Sequence, residues 1–120
     1  MDRTAALALY EKLVATNPRV ERKGDTMPYT SLNGHMFSVL HNDGSVALRL
    51  PANEREAFLK KYKTTLSSQY GSVQPEYVVV PDALLAKTQE LKRFFDLSFQ
   101  YVSSLKPKPT KRKKAGSKKA

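Results

Sequence analysis

The chain has 120 residues, 21 Lys and Arg against 11 Asp and Glu, two histidines and no cysteine. That length fits one domain, and the lack of cysteine excludes disulfides, thiolate metal sites and a cysteine nucleophile. The formal net charge of +10 is unevenly held: Lys106, Lys108, Lys111, Arg112, Lys113, Lys114, Lys118 and Lys119 are eight cations with no acid among them, so the first 105 residues keep 13 cations against 11 acids.

The first element is a helix. Asp2 is a capping residue, Leu7, Leu9, Tyr10, Leu13 and Val14 recur at helical spacing, and Asn17-Pro18 stops the run near Ala15 or Thr16. Its charges interrupt the apolar part and no cleavage pattern follows, so the stretch does not read as a secretory signal. No apolar run reaches the roughly 18–20 residues of a membrane helix. Arg19 to Lys23 reads as an edge strand or connector, with Val20 its one candidate for burial.

A β-meander follows. Pro28 to Leu32 is extended, Asn33-Gly34 is a two-residue hairpin signal, and His35 to His41 is the second strand. Asn42-Asp43-Gly44 turns the chain into Ser45 to Leu50, where Val46, Leu48 and Leu50 alternate with Ala47 and Arg49, predicting one buried and one wet face. Pro51 ends that strand. Asn53, with Glu56 three residues on, predicts a capping box for a helix bearing Ala57, Phe58, Leu59, Tyr62 and Leu66. Ser67 to Pro75 reads as a loop. Glu76 to Val80 reads as an interior strand covered on both faces or as an end strand shielded by a helix, Pro81-Asp82 opens a short helical turn, and Thr88 recaps a last helix through Leu91, Phe94, Phe95, Phe99, Val102 and Leu105. The order predicts a two-layer α+β domain over residues 1–105, with an antiparallel sheet and helices on one face. Residues 106–120, KPKPTKRKKAGSKKA, lack any apolar period and read as a disordered basic tail.

The candidate sites are few. His35 and His41 share parity on a straight strand but stand about 20 Å apart at ~3.3 Å per residue, too far to share a metal ion. Ser38 and His35 fall on opposite faces of that strand. No phosphate loop or nucleophile elbow is present, so no catalytic, cofactor-binding or metal-binding residue is assigned and no cofactor is expected. Phe94, Phe95, Phe99 and Tyr101 read as core rather than as a base-stacking platform; Tyr29, Phe37 and Tyr77 lie on strands. Tyr29, His35 and Arg49 are the residues of the body to watch as a surface site. The eight cations from Lys106 to Lys119 are the candidate nucleic-acid contacts, through phosphates and without sequence readout. Alternatives are a solubilising appendage on a small-ligand or partner-binding domain, contact with an anionic membrane or acidic partner, and, on other grounds, an uncharacterised enzyme.

The stretch MPYTSLNGHMFSVLHNDGSVALRLP, Met27 to Pro51, followed by REAFLKKY, by YVVVP at Tyr77 to Pro81 and by YVSSL at Tyr101 to Leu105, resembles the TfoX N-terminal domain family, also called TfoX/Sxy-like. The resemblance spans about Leu13 to Leu105 and rests on Asn33-Gly34-x-Met36-Phe37, Leu48-Arg49-Leu50-Pro51 and Val80-Pro81 in that order. It implies a bacterial cytoplasmic protein with a fold similar to YjbR-like domains and a link to transcriptional control of natural competence, and a transcription factor or polymerase is then the expected partner of a domain presented by the basic tail. It carries no catalytic residues, because the shared motif is structural. Longer members have a second, helical domain where this sequence has the basic segment.

Overall fold

The computed structural model describes residues 1–69 and 71–107. Its elements run α1 (Arg3–Val14), β1 (Tyr29–Leu32), β2 (His35–Leu40), β3 (Val46–Arg49), α2 (Ala52–Tyr62), β4 (Leu66–Gln69), β5 (Ser72–Val80), α3 (Asp82–Leu85) and α4 (Thr88–Ser103). The strands form one sheet in the order β1-β2-β3-β5-β4, with every neighbouring pair antiparallel. The helices and the sheet share one continuous apolar core. This is the expected α+β architecture, with β1, β2 and β3 as the meander.

Local chemistry explains most boundaries. The Asp2 carboxylate accepts the Ala5 amide at 2.8 Å and starts α1. At the other end the Thr16 and Asn17 amides bond back to Leu13 and Val14, tightening the last turn before Pro18. Asn33 and Gly34 both have positive φ, 57° and 79°, as a type I′ turn requires. Val20 packs partly buried on the core, and the connector pairs with the sheet only where Lys23 bridges Tyr29.

Several expectations need correction. The α2 capping box is absent: Pro51, fixed in extended geometry, is the N-cap, and its carbonyl takes the first helical bond from Arg55 at 2.8 Å. The helix therefore starts before Asn53, and Ala57 is exposed rather than part of its apolar stripe. Thr88 is likewise the first helical residue of α4, not its cap, which is Lys87. The expected loop from Ser67 to Pro75 is not one: residues 67–69 belong to β4 and residues 72–75 to β5, their polar residues held by pairing such as Ser68 with Val73. The outward face of β3 is not wet, because Ala47 is 1 % exposed.

A β-bulge in β2 matters most for the site. Thr30 pairs with Ser38 and Ser31 with Met36, which leaves Phe37 unopposed. One extra residue reverses the alternation beyond it. Phe37 and Ser38 are both fully buried as a result. The Phe37 ring meets Phe95 and Phe99 of α4 at centroid distances of 5.6 and 5.9 Å. The Ser38 hydroxyl joins Tyr10 of α1 at 2.6 Å and Thr30 of β1 at 2.5 Å, a chain of three buried hydroxyls. Burial pushes the Tyr10 hydroxyl up to about 12, against the lowering effect of the Ser38 and Thr30 bonds and the Arg22 charge. The straight-strand expectation that His35 and Ser38 face opposite ways, and that His35 and His41 share a face, fails at this bulge.

Candidate functional site

Arg49 ends β3 directly across from Tyr77 of β5. Its Nε and Nη2 both reach Glu76 Oε1 at 2.6 Å, and the Tyr101 hydroxyl of α4 donates to the other carboxylate oxygen at 2.8 Å. The guanidinium carbon lies 5.6 Å from the Tyr101 ring centroid and 5.9 Å from that of Tyr77, within cation–π range. Tyr77 is held in turn by donating to the Met36 carbonyl at 2.7 Å. The cation is thus enclosed by one carboxylate and two tyrosines drawn from β5 and α4.

His35 completes the cluster. Its Nδ1 stands 3.4 Å from Arg49 Nη1, and its Nε2 stands 2.9 Å from the Lys106 carbonyl. An arginine only donates, so this geometry assigns Nδ1 as acceptor and Nε2–H as donor. Asn33 donates to the Val102 and Ser103 carbonyls at 3.3 and 3.4 Å. The β1–β2 turn therefore adds a donor to the last carbonyls of α4, of which that of Val102 also accepts the Leu105 amide at 3.2 Å. The root of the basic segment is seated beside Arg49.

The electrostatics fit a holding role. Desolvation raises the Glu76 carboxyl, but the Tyr101 and Arg49 hydrogen bonds, with the charges of Arg49 and Arg55, outweigh it and leave it below the usual range. Burial, reinforced by the Glu76 charge, raises Tyr77 and Tyr101 against the opposing pull of Arg49. A carboxylate held ionised and tyrosines held protonated do not exchange protons near neutral pH.

His41 is elsewhere. It is buried, its Nε2 stands 3.4 Å from the buried Ser67 hydroxyl, and its Nδ1 has no hydrogen-bond partner among the described residues. Desolvation lowers its pKa, although the Asp43 charge opposes the change. Asp43 closes the second turn, accepting the Ser45 amide at 2.9 Å and hydroxyl at 2.7 Å, and these bonds lower its own pKa. Among the described residues no group of three or more His, Cys, Asp or Glu could hold a metal ion.

Of the three watched surface residues, the structure brings His35 and Arg49 together and leaves Tyr29 apart. Tyr29 pairs with Val39, at the far end of the β1–β2 ladder from His35. Lys106 is exposed and lies at the site through its carbonyl; Lys108, Lys111, Arg112, Lys113, Lys114, Lys118 and Lys119, and with them the expected disorder of that segment, lie outside the described residues. Glu76, Tyr77 and Tyr101 were not legible as partners of Arg49, because nothing local in the sequence states that β3 pairs with β5. The only signal was a single acid opening the apolar run EYVVV.

Fold and site together define an α+β domain whose last helix ends in a polar clamp at the start of a basic segment. No helix among the described residues is long and apolar enough to cross a membrane. No family model matches the chain, and neither the curated proteins nor the solved structures give a significant match.

Proposed function

We propose that this is a non-enzymatic interaction domain of the TfoX N-terminal type whose segment from Lys106 onward contacts nucleic acid through its phosphates. One observation carries the reading: eight cations without an acid occupy fifteen residues, while the preceding 105 are nearly neutral. Such a segment neutralises phosphates, releases counterions and binds without sequence preference. The clamp gives it a defined origin, since His35 and Asn33 fix the end of α4 beside Arg49. The resemblance through Asn33-Gly34-x-Met36-Phe37 and Leu48-Arg49-Leu50-Pro51 supports a role in transcriptional regulation in a bacterial cytoplasm. There the domain is presented to a transcription factor or polymerase while the segment holds the nucleic acid.

The test replaces all eight cations with glutamine in the full chain. Fluorescence anisotropy with a labelled duplex and a labelled single strand at low salt then compares it with the parent. Binding by the parent and its loss in the variant supports the reading; equal binding by both overturns it.

A further inference from the structure

The segment and the Arg49 clamp leave one concentration of positive charge unexplained. At the corner where α2 ends and α3 passes into α4, a groove of about 260 Å³ is lined by Lys61, Lys63, Lys87, Tyr62 and Glu90 together with the apolar Pro81, Ala83 and Leu84. The three lysines come from three places in the chain: the last turn of α2, the residue just past it, and the link before α4. All three are exposed, and none is in an ion pair among the described residues. The lining holds one carboxylate, Glu90, which accepts the Tyr62 hydroxyl at 2.6 Å and keeps its charge, so the lysines leave the groove a net charge of about +2. Asp82 of the adjoining α3 is paired with the Met1 amino group at 3.0 Å. Lys61 also lies over the Tyr62 ring at 5.3 Å, which keeps a cation at the groove wall.

A lysine at the C-terminal end of a helix complements its dipole, and that accounts for Lys61 and Lys63 by themselves. Lys87 follows the C-cap of the four-residue α3 but is also the N-cap of the sixteen-residue α4, whose larger dipole disfavours a cation there. Three cations against one carboxylate, around a groove that also presents Pro81, Ala83 and Leu84, complement a polyanion whose linker groups are less polar than its charges. A nucleic-acid backbone has that character: phosphates separated by sugars. The corner is also set apart from the Arg49 clamp by the length of α4. Sixteen residues at 1.5 Å each give α4 a length of roughly 24 Å, which separates Lys87 at its start from the segment beyond its end. That separation is about seven base pairs of duplex at 3.4 Å per step.

We infer that Lys61, Lys63 and Lys87 form a second phosphate-contacting surface, so that nucleic acid is held at both ends of α4. This rests on the reading that the chain binds nucleic acid, and it adds a second point of contact on the folded body. These lysines grip phosphates and carry no base specificity.

The experiment compares the parent, a Lys61→Gln/Lys63→Gln/Lys87→Gln variant, the same three positions changed to arginine, and the eight-glutamine variant of the basic segment. Each full-length chain is titrated with a 20-base-pair duplex across a salt series. Leaving three phosphates without their lysines makes the salt slope of the corner variant shallower by about 2.7. Its affinity deficit against the parent therefore shrinks about 40-fold between 50 and 200 mM salt. The arginine variant keeps the parental slope, because the charge is retained. Circular dichroism of the glutamine variant matches the parent, and its melting temperature falls only slightly, since the three side chains are exposed and lose no more than their helix-end and ring contacts. A corner variant with the parental slope and affinity overturns the inference, even where the eight-glutamine variant has lost binding. A corner variant with the shallower slope beside an eight-glutamine variant that binds like the parent supports the corner and overturns the role of the segment.

Discussion

Glu76→Gln tests whether the Arg49 clamp stabilises the fold. The change keeps the shape of the side chain and removes its charge. The Arg49 side chain is only 19 % exposed, so it would keep most of its desolvation without its counter-ion. A pair at about 4 Å between charge centres is worth roughly 4 kcal/mol at an effective dielectric of 20. The Glu76 side chain is 35 % exposed, and solvent screening reduces that figure. The amide also still accepts one hydrogen bond. A net loss of about 1.5–2.5 kcal/mol follows, between the values for exposed and fully buried pairs. The assay is urea unfolding of the parent, Glu76→Gln, Arg49→Met and the double variant. The cycle should give a coupling energy of at least about 1 kcal/mol. The pH dependence has a definite sign. The Glu76 pKa is lowered in the fold, so its contribution is present above the ordinary carboxylate range and lost as pH falls through the folded value. The gap between parent and Glu76→Gln therefore narrows as the pH drops below about 4.5. A coupling energy near zero, or a gap that is the same at neutral pH and at pH 3, would refute the reasoning.

Three further outcomes follow from the same geometry. Ser38→Ala leaves the buried Tyr10 and Thr30 hydroxyls without their shared partner and should destabilise by about 1–3 kcal/mol in denaturant unfolding; a loss under about 0.5 kcal/mol contradicts the network. Lys63 is held at φ 51°, a left-handed conformation costly for any residue with a Cβ. Lys63→Gly should therefore raise stability by about 0.5–1 kcal/mol while making the salt slope for duplex shallower by about 0.9, a trade between stability and binding that thermal melting and anisotropy measure separately. Because the His41 pKa is lowered in the fold, the unfolded chain binds more protons below about pH 6.5, and stability falls as pH drops from there toward the folded value. His41→Gln should flatten that part of the profile, read by melting temperature between pH 7 and pH 5.

The turns and the apolar periods were legible because their causes are local. Asn33-Gly34 must take positive φ, Asp2 reaches the nearest free amide, and the aromatic residues of α4 recur at helical spacing. What was hidden depends on which strands meet. Ser67, Ser68 and Gln69 have little intrinsic preference for a strand and become one only against β5. Pro75 inside β5 argued against a strand there, and the hairpin accommodates it beside a shift in register. Arg49 was noticed as a cation on a strand, yet its partners come from β5 and α4, 27 and 52 positions later in the chain. The Phe37 bulge is the clearest case. A strict period of two put His35 and Ser38 on opposite faces, and a single unopposed residue changed the assignment for everything beyond it. The same displacement aims Phe37 at α4 and leaves His35 beside Arg49.

The proposed contact of the basic segment with nucleic acid is the central claim, and the salt dependence of duplex binding tests it by counting phosphates. With the parent and the eight-glutamine variant titrated from 50 to 300 mM salt, eight engaged cations predict slopes of log K against log salt that differ by about 7. Slopes that coincide, with the parent no tighter than the variant at 50 mM, would contradict the assignment of the segment from Lys106 to nucleic acid.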